Sequence, residues 1–210
     1  MIEQGSKEWL QMRLGKLTAS RMADVLATTK SGPSAARKNY LAQLVAERLT
    51  GDIGEGFTNS AMLWGTEHEP LARSEYEILK DLSVDHAPFV DHPAIEMCGA
   101  SPDGFVSDFG LVEIKCPNTA THIDYLLAQK PPAKYVPQMA LQLACTKRTW
   151  CDFVSYDPRM PKEFKLLIVR YEPEAEYIEM IEAEAIKFLT EVEEIISRLM
   201  SINKKLEISA

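Results

Sequence analysis

Apolar and polar positions follow two different periods along this chain. Over residues 35–49, Leu41, Leu44, Val45, Arg48 and Leu49 fall at helical spacing. Residues 22–27 form a shorter helical stretch, and the Thr-, Ser-, Gly- and Pro-rich residues 28–34 between the two predict a loop. Residues 60–79 predict a third helix, bent where Pro70 removes a backbone hydrogen bond. The period then changes. Residues 87–90, 95–98, 105–106 and 111–116 are short and β-leaning, separated by Pro, Gly and Asp turns. Residues 119–127 and 136–145 return to helix, 150–156 and 164–171 predict strands, and a long helix starts at about residue 174 and runs to 200–203. In that helix Ile178, Ile181, Ala185, Phe188, Val192, Ile195, Leu199 and Ile202 alternate three and four apart, a heptad-like seam. Packing of this seam on its own domain is expected, with a subunit contact as the alternative. The order predicts an α/β (α+β) fold, a central mixed β-sheet flanked by helices, in a single domain over residues 1–210.

Charge changes this picture in one respect. The net charge of −8 argues against a nucleic-acid partner. The distribution argues otherwise: residues 1–50 hold eight Lys/Arg against four Asp/Glu, whereas from Glu172 onward there are ten acids and four bases. Local field decides where a phosphate backbone lies. The acidic last helix is expected to keep a duplex on the basic side. No apolar run is long enough to span a bilayer and no signal segment opens the chain, so a cytoplasmic location is expected. Cys98, Cys116, Cys145 and Cys151 form no C-x-x-C pair, which argues for reduced, buried thiols rather than a zinc site.

The candidate chemistry lies in one predicted hairpin. Ser101-Pro102-Asp103-Gly104 precedes it, and Leu111-Val112-Glu113-Ile114-Lys115-Cys116 is the returning strand. Alternation puts Glu113 and Lys115 on one face and Val112, Ile114 and Cys116 on the other. A Glu-x-Lys strand is by itself common on any solvent-exposed sheet. If Ser107-Asp108-Phe109 forms a three-residue loop with Gly110 left-handed, however, Asp103 lies opposite Glu113. A slip of one residue would break the arrangement. Two carboxylates beside an amine suit phosphodiester cleavage, because Asp and Glu oxygens hold Mg²⁺ or Mn²⁺. Lys115 would orient or help deprotonate water, its pKa lowered by burial, or stabilise charge on the phosphoryl oxygens.

These residues resemble the PD-(D/E)-x-K nuclease core: Pro102-Asp103, a nine-residue gap, then Glu113-Ile114-Lys115. The chain is most similar to phage lambda exonuclease and the YqaJ-like viral recombinases. Trp9-Leu10-x-x-Arg13-Leu14-Gly15 with Thr18-Ala19-Ser20 resembles the opening motif of that family. Trp64-Gly65 with Glu69, Lys115-Cys116-Pro117 and Tyr156-Asp157-Pro158-Arg159-Met160 resemble later ones in the same order. The resemblance implies a 5′-to-3′ exonuclease acting on linear double-stranded DNA with 5′-phosphorylated ends, leaving 3′ single-stranded overhangs for phage-type recombination. It implies two Mg²⁺ or Mn²⁺ ions, held by Asp103, Glu113, the Ile114 carbonyl and Glu69, with Lys115 catalytic. Arg13 and Ser20 would bind the terminal 5′-phosphate, with Ser101 and Gln138 nearby. It further implies a homotrimeric ring, a single-strand annealing protein as partner, and a phage or prophage source in a bacterial host.

Several of these residues have another reading. Arg13 with Thr18-Ala19-Ser20 forms an anion site or, more plainly, a solvated arginine near an ordinary N-cap. Glu67 competes with Glu69 on spacing alone, though Glu69 shares a face with Gly65, Ala72 and Tyr76. Gln142, one turn after Gln138, stands where related nucleases carry a tyrosine. Trp9, Trp64 and Trp150 are expected in the core. Two rival functions are a structure-specific endonuclease built on the same core and a DNA-binding or annealing module that needs no metal.

Overall fold

The computed structural model describes residues 4–54 and 60–209, with side chains described as far as residue 204. The chain opens with helix α1 (Lys7–Arg13), strand β1 (Leu17–Thr18), a 3-10 turn over Ala19–Arg21 and helix α2 (Met22–Leu26). A small hairpin, β2 (Thr28–Thr29) and β3 (Gly32–Pro33), leads into α3 (Ala35–Thr50), and α4 (Ser60–Lys80) follows. The short strands β4 (Val84–Asp85), β5 (Val90–Asp91), β6 (Cys98–Ala100) and β7 (Gly104–Val106) precede the longer β8 (Gly110–Lys115). Helices α5 (Thr119–Ala128) and α6 (Val136–Thr146), strands β9 (Trp150–Tyr156) and β10 (Leu166–Tyr171), and the long α7 (Ala175–Ser209) complete the order.

Local chemistry sets the helix ends. Ser34 and Asn118 accept main-chain N–H bonds from Arg37 and Thr121 as N-caps, and α3 stops at Gly51, whose φ of 70° suits glycine. Helix α1 was not expected from the pattern. It buries none of its residues, so no apolar stripe announces it. The predicted loop at 28–34 contains the β2–β3 pair, and the strands expected at 87–90 and 95–98 lie instead at β5 and β6. Phe164 falls in a 3-10 turn ahead of β10.

The main sheet has the order β10-β9-β8-β7-β4. It is parallel only between β8 and β9, the mixed arrangement expected from the sequence. A smaller sheet, β1-β6-β5, lies beside it. Ala72 and Tyr76 of α4 cover the face of Val112 and Ile114. Met139 and Leu143 of α6, with Tyr125 of α5, cover the face of Leu111 and Phe153. Both faces of β8 are thus buried. The Glu-x-Lys face is not an ordinary solvated sheet face.

Helix α7 packs its seam on the same domain. Ile181, Ala185, Phe188 and Val192 are fully buried against Tyr40, Leu44 and Leu141, with Ile178 and Ile195 at the margin. Leu199 and Ile202 are exposed. This packing also consumes much of the charge asymmetry. Arg37 forks onto Glu191 at 2.7 and 2.8 Å, and Arg48 pairs with Glu193. The basic start and the acidic tail therefore partly neutralise each other. The four cysteines are free and buried. No helix among the described residues is long and apolar enough to cross a membrane.

The β7–β8 hairpin has the register that convergence requires. Gly104 pairs with Val112, Phe105 with Leu111 and Val106 with Gly110, around a loop of Ser107, Asp108 and Phe109. The left-handed residue is Ser107, with φ of 50°, and not Gly110. Gly110 is needed for close approach: a Cβ there would lie 2.1 Å from the Trp150 ring, which Arg170 covers at 3.6 Å. Gly110→Ala is expected to destabilise the fold by roughly 1–3 kcal/mol through overpacking, read as a lower midpoint in denaturant melts.

Candidate active site

The hairpin register places Asp103 one pair beyond Gly104–Val112, across from Glu113. A side chain completes the ladder there, as the Ile114 main-chain N–H donates to Asp103 Oδ2 at 2.6 Å. Glu113 is fully buried, yet every visible constraint on it is polar. Gln138 Nε2 donates to its Oε1 at 2.6 Å and Gln142 Nε2 to its Oε2 at 2.7 Å, while Lys115 Nζ pairs with Oε1. Two amides one turn apart on α6 thus grip one carboxylate of β8. The Gln142 Oε1 atom is buried without a partner among the described residues. Such an orphan costs about 1–3 kcal/mol, so the donor to Glu113 dictates the amide's orientation. Sequence reasoning gave Gln142 no role; its one-turn spacing from Gln138 was the available signal.

Lys115 sits 5.3 Å over the ring of Tyr135, which itself stacks on Phe153. Both line a cleft of about 700 Å³ with Trp64, Gly65, Glu69, Ile114 and Arg159. Of the two competing acids on α4, Glu67 is exposed and Glu69 enters this cleft. Arg73, one turn on, lies 3.8 Å from Glu69 and donates to the main-chain carbonyl of Asp103. Arg73 ties α4 to the hairpin. It was missed in the sequence, although its i+4 spacing from Glu69 marks it.

The electrostatics follow from this crowding. Burial, and then the charge of Glu113, push the Asp103 carboxyl well above the usual carboxylate range. Burial also raises Glu69, with Arg73 and Lys115 opposing it and Glu113 adding to it. Lys115 departs from expectation. Burial alone would lower it, but Glu113 and Asp103 outweigh that penalty and hold the ammonium above its ordinary value. Its buried partners are acids, which favour the charged form.

A second group of predicted residues converges on the same end of the hairpin. Trp9 Nε1 donates to Ser101 Oγ at 3.0 Å, two residues before Asp103. Arg13 lies 4.0 Å over the Trp9 ring and donates to Thr18 Oγ1 at 3.4 Å; Thr18 in turn lies 3.4 Å from Ser20 Oγ. Arg13 has no carboxylate within ion-pair distance among the described residues, unlike Arg21, which pairs with Asp24 at 2.6 Å. Burial lowers the pKa of Arg13. It is a half-buried cation without an ion pair, although the charge of Glu47, on the wall of the same pocket, opposes the effect of burial. Gln138 is committed to Glu113 rather than to this group. The tryptophans are half-buried rather than core residues, and each carries an arginine on one face: Arg13, Arg159 and Arg170.

Gln142→Met, close in size but without a donor, is expected to lower cleavage and weaken Mg²⁺ affinity by roughly 10–100-fold each. DNA affinity and melting temperature should stay near those of the parent. Metal titrations beside melts separate this result from simple loss of packing.

The mixed sheet flanked by helices is the fold of the PD-(D/E)-x-K nucleases. The chain belongs to the YqaJ-like viral recombinase family, whose domain model matches residues 8–149. The alkaline exonuclease LHK-Exo from Laribacter hongkongensis is 48% identical with a TM-score of 0.88, covering 96% of this chain and all of that one. The same enzyme in complex with dAMP gives a TM-score of 0.89 at the same identity and coverage. A phage-related exonuclease from Haemophilus somnus 129PT, 16% identical, shares the fold with a TM-score of 0.70, covering 88% of this chain and 96% of that one. No curated protein sequence matches the chain.

Proposed function

We propose that this protein is a divalent-metal-dependent exonuclease that degrades linear double-stranded DNA 5′ to 3′ from phosphorylated ends, leaving 3′ overhangs for recombination. The observation that carries this reading is the placement of two groups at one hairpin. The Asp103–Glu113–Lys115 cluster lies at one end of it, and Arg13, which has no ion pair, is linked to the same end through Trp9 and Ser101. The first suits a phosphodiester and the second a terminal phosphate.

The donor set fits a hard cation. Asp103, Glu113 and the Ile114 carbonyl would supply oxygen, and Glu69, which lines the cleft together with Ile114 and Lys115, would serve a second ion. No three His, Cys, Asp or Glu side chains among the described residues already form a cage. Mg²⁺ typically binds through one or two carboxylates and keeps several waters, which suits such a site. When bound, the ion would lower the pKa of a water and neutralise phosphate charge.

The chain's own residues do the rest. Gln138 and Gln142 hold Glu113 in one orientation, so no reorganisation is needed when substrate arrives. The Ile114 amide fixes Asp103. Lys115, paired with Glu113 at the cleft, is suited to stabilise charge on the phosphoryl oxygens or to orient the attacking water. Arg13, with Thr18 and Ser20, would receive the 5′-phosphate by charge-assisted hydrogen bonds. Ser101 would help place that end.

The proposal extends to a homotrimeric ring around the duplex, to a single-strand annealing protein as partner, and to action in the cytoplasm of a phage-infected or prophage-bearing bacterium. The exposed Leu199, Met200 and Ile202 of α7 provide apolar surface for a subunit contact. The deciding experiment uses Mg²⁺ with linear duplexes labelled separately at each end, with and without a 5′-phosphate, beside circular DNA. Nucleotides are expected first from the phosphorylated 5′ end, with the circle intact. Cleavage of the circle would indicate the endonuclease, and binding without hydrolysis the annealing module.

A further inference from the structure

The Tyr156-Asp157-Pro158-Arg159-Met160 segment has no part in the chemistry above, yet it delivers Arg159 to the wall of the same cleft as Lys115 and Glu69. Asp157 is fully buried at the end of β9. Its Oδ1 accepts from Arg159 Nε at 2.7 Å and from the Arg159 main-chain N–H at 3.0 Å; its Oδ2 accepts from Arg159 Nη2 at 3.0 Å. The same Nη2 donates to the Pro117 carbonyl at 3.2 Å, and the guanidinium lies 4.4 Å over Trp64. A third stacking layer stands behind, as His68 packs on Trp64 at 3.7 Å.

Arg159 is thus restrained by β9, by the β8–α5 connection and by α4, although its side chain is 46% exposed. Long exposed side chains lose much conformational freedom when held in this way. The restraint leaves Nη1 without a hydrogen bond among the described residues, on a guanidinium that lines the cleft. The ion pair persists across the working pH range. Burial would raise the Asp157 carboxyl, but hydrogen bonds from Arg159 and Thr119 hold it at about 2, so it stays ionised until the pH falls toward that value.

We propose that Arg159 is a DNA-binding residue, contacting the backbone phosphate next to the scissile one, with Asp157 and Trp64 as its positioning residues. The inference rests on the nuclease reading and adds a contact that the metal cluster and the Arg13 group do not supply. A pre-oriented guanidinium loses little freedom on meeting a phosphate, and Arg suits phosphate geometry. Trp64 then serves as the backing of an arginine and not as a base-stacking platform.

The test uses full-length protein carrying Lys115→Ala, so that duplex binds with Mg²⁺ and is cut too slowly to disturb the binding measurement. In that background Arg159→Ala is expected to weaken duplex binding by about 10-fold or more. The slope of log affinity against log salt should also fall by about one. A single methylphosphonate at the linkage beside the scissile one should weaken binding by the parent and leave the Arg159→Ala protein unaffected. Should the single variant fold poorly with Asp157 stranded, Asp157→Asn combined with Arg159→Ala removes the unpaired charge and should give the same result. Unchanged affinity and slope, or equal sensitivity to the methylphosphonate, would overturn the assignment; a lower melting temperature alone would mark Arg159 as structural. If the unmodified protein cuts no DNA, the nuclease reading fails. If it cuts and Arg159 has no effect, only this inference does.

Discussion

Lys115→Ala and Asp103→Asn are each expected to lower the rate of DNA hydrolysis by roughly 10²–10⁴-fold, with the folded structure retained. Asn at position 103 keeps an oxygen that accepts the Ile114 amide, so the hairpin remains closed. Loss of Lys115 leaves Glu113 with its two glutamine donors. Circular dichroism should be unchanged for both. The pH dependence has a definite sign. The Asp103 carboxyl is raised by burial and by Glu113, so it retains a proton at pH values where an ordinary carboxylate has lost it. Metal requires the ionised form. Mg²⁺ affinity should therefore rise with pH and binding should release protons, an effect that Asp103→Asn removes. The metal-free fold should weaken as pH climbs from the unfolded toward the folded pKa of this group. Calorimetric titrations in buffers of different ionisation enthalpy measure the release. Near-normal cleavage by either variant would sink the mechanism.

Arg13→Ala should abolish the preference for phosphorylated ends. Cleavage of duplexes with a 5′-phosphate is expected to fall by about 10–100-fold, and cleavage of 5′-hydroxyl ends to change little. Arg13 is partly buried, faces an aromatic ring and a hydroxyl, and has no ion pair, with only the more distant charge of Glu47 to offset its burial. Partial burial of a cation that has no ion pair is unfavourable and is relieved when an anion arrives. Removing it should leave the metal-free protein as stable as before or slightly more so. Ser20→Ala should produce the same change in smaller measure, since its hydroxyl reaches Arg13 only through Thr18. Paired rate measurements on the two kinds of end decide the matter; an equal loss on both would point to general damage.

Local rules carried the sequence a long way. Alternation in β8, the three-residue loop and the helical period of α3, α4, α6 and α7 depend on residues a few positions apart, and such spacing is visible in one chain. The left-handed position was misjudged, because Gly110 answers to Trp150, forty residues away in the sequence and adjacent only across the β8–β9 pair. Helix α1 was missed because it is held by a cap and by Trp9 on Ser101 rather than by an apolar stripe.

The sequence by itself determined that Asp103, Glu113 and Lys115 share one end of one hairpin, since strand alternation and loop length leave little choice of register. Only the tertiary structure decided what surrounds them. It buried Glu113 beneath Gln138 and Gln142, placed Glu69 rather than Glu67 in the cleft, tied Arg73 to Asp103, and paired Lys115 with Glu113. It also changed the meaning of the basic start. Arg37 and Arg48 are taken up by acids of α7, while Arg13 forms no ion pair among the described residues. The physical reason is the same in each case. A carboxylate's hydrogen bonds, and a cation's lack of a partner, depend on which helices pack across the sheet, and that packing joins residues whose distance along the chain says nothing of their distance in space.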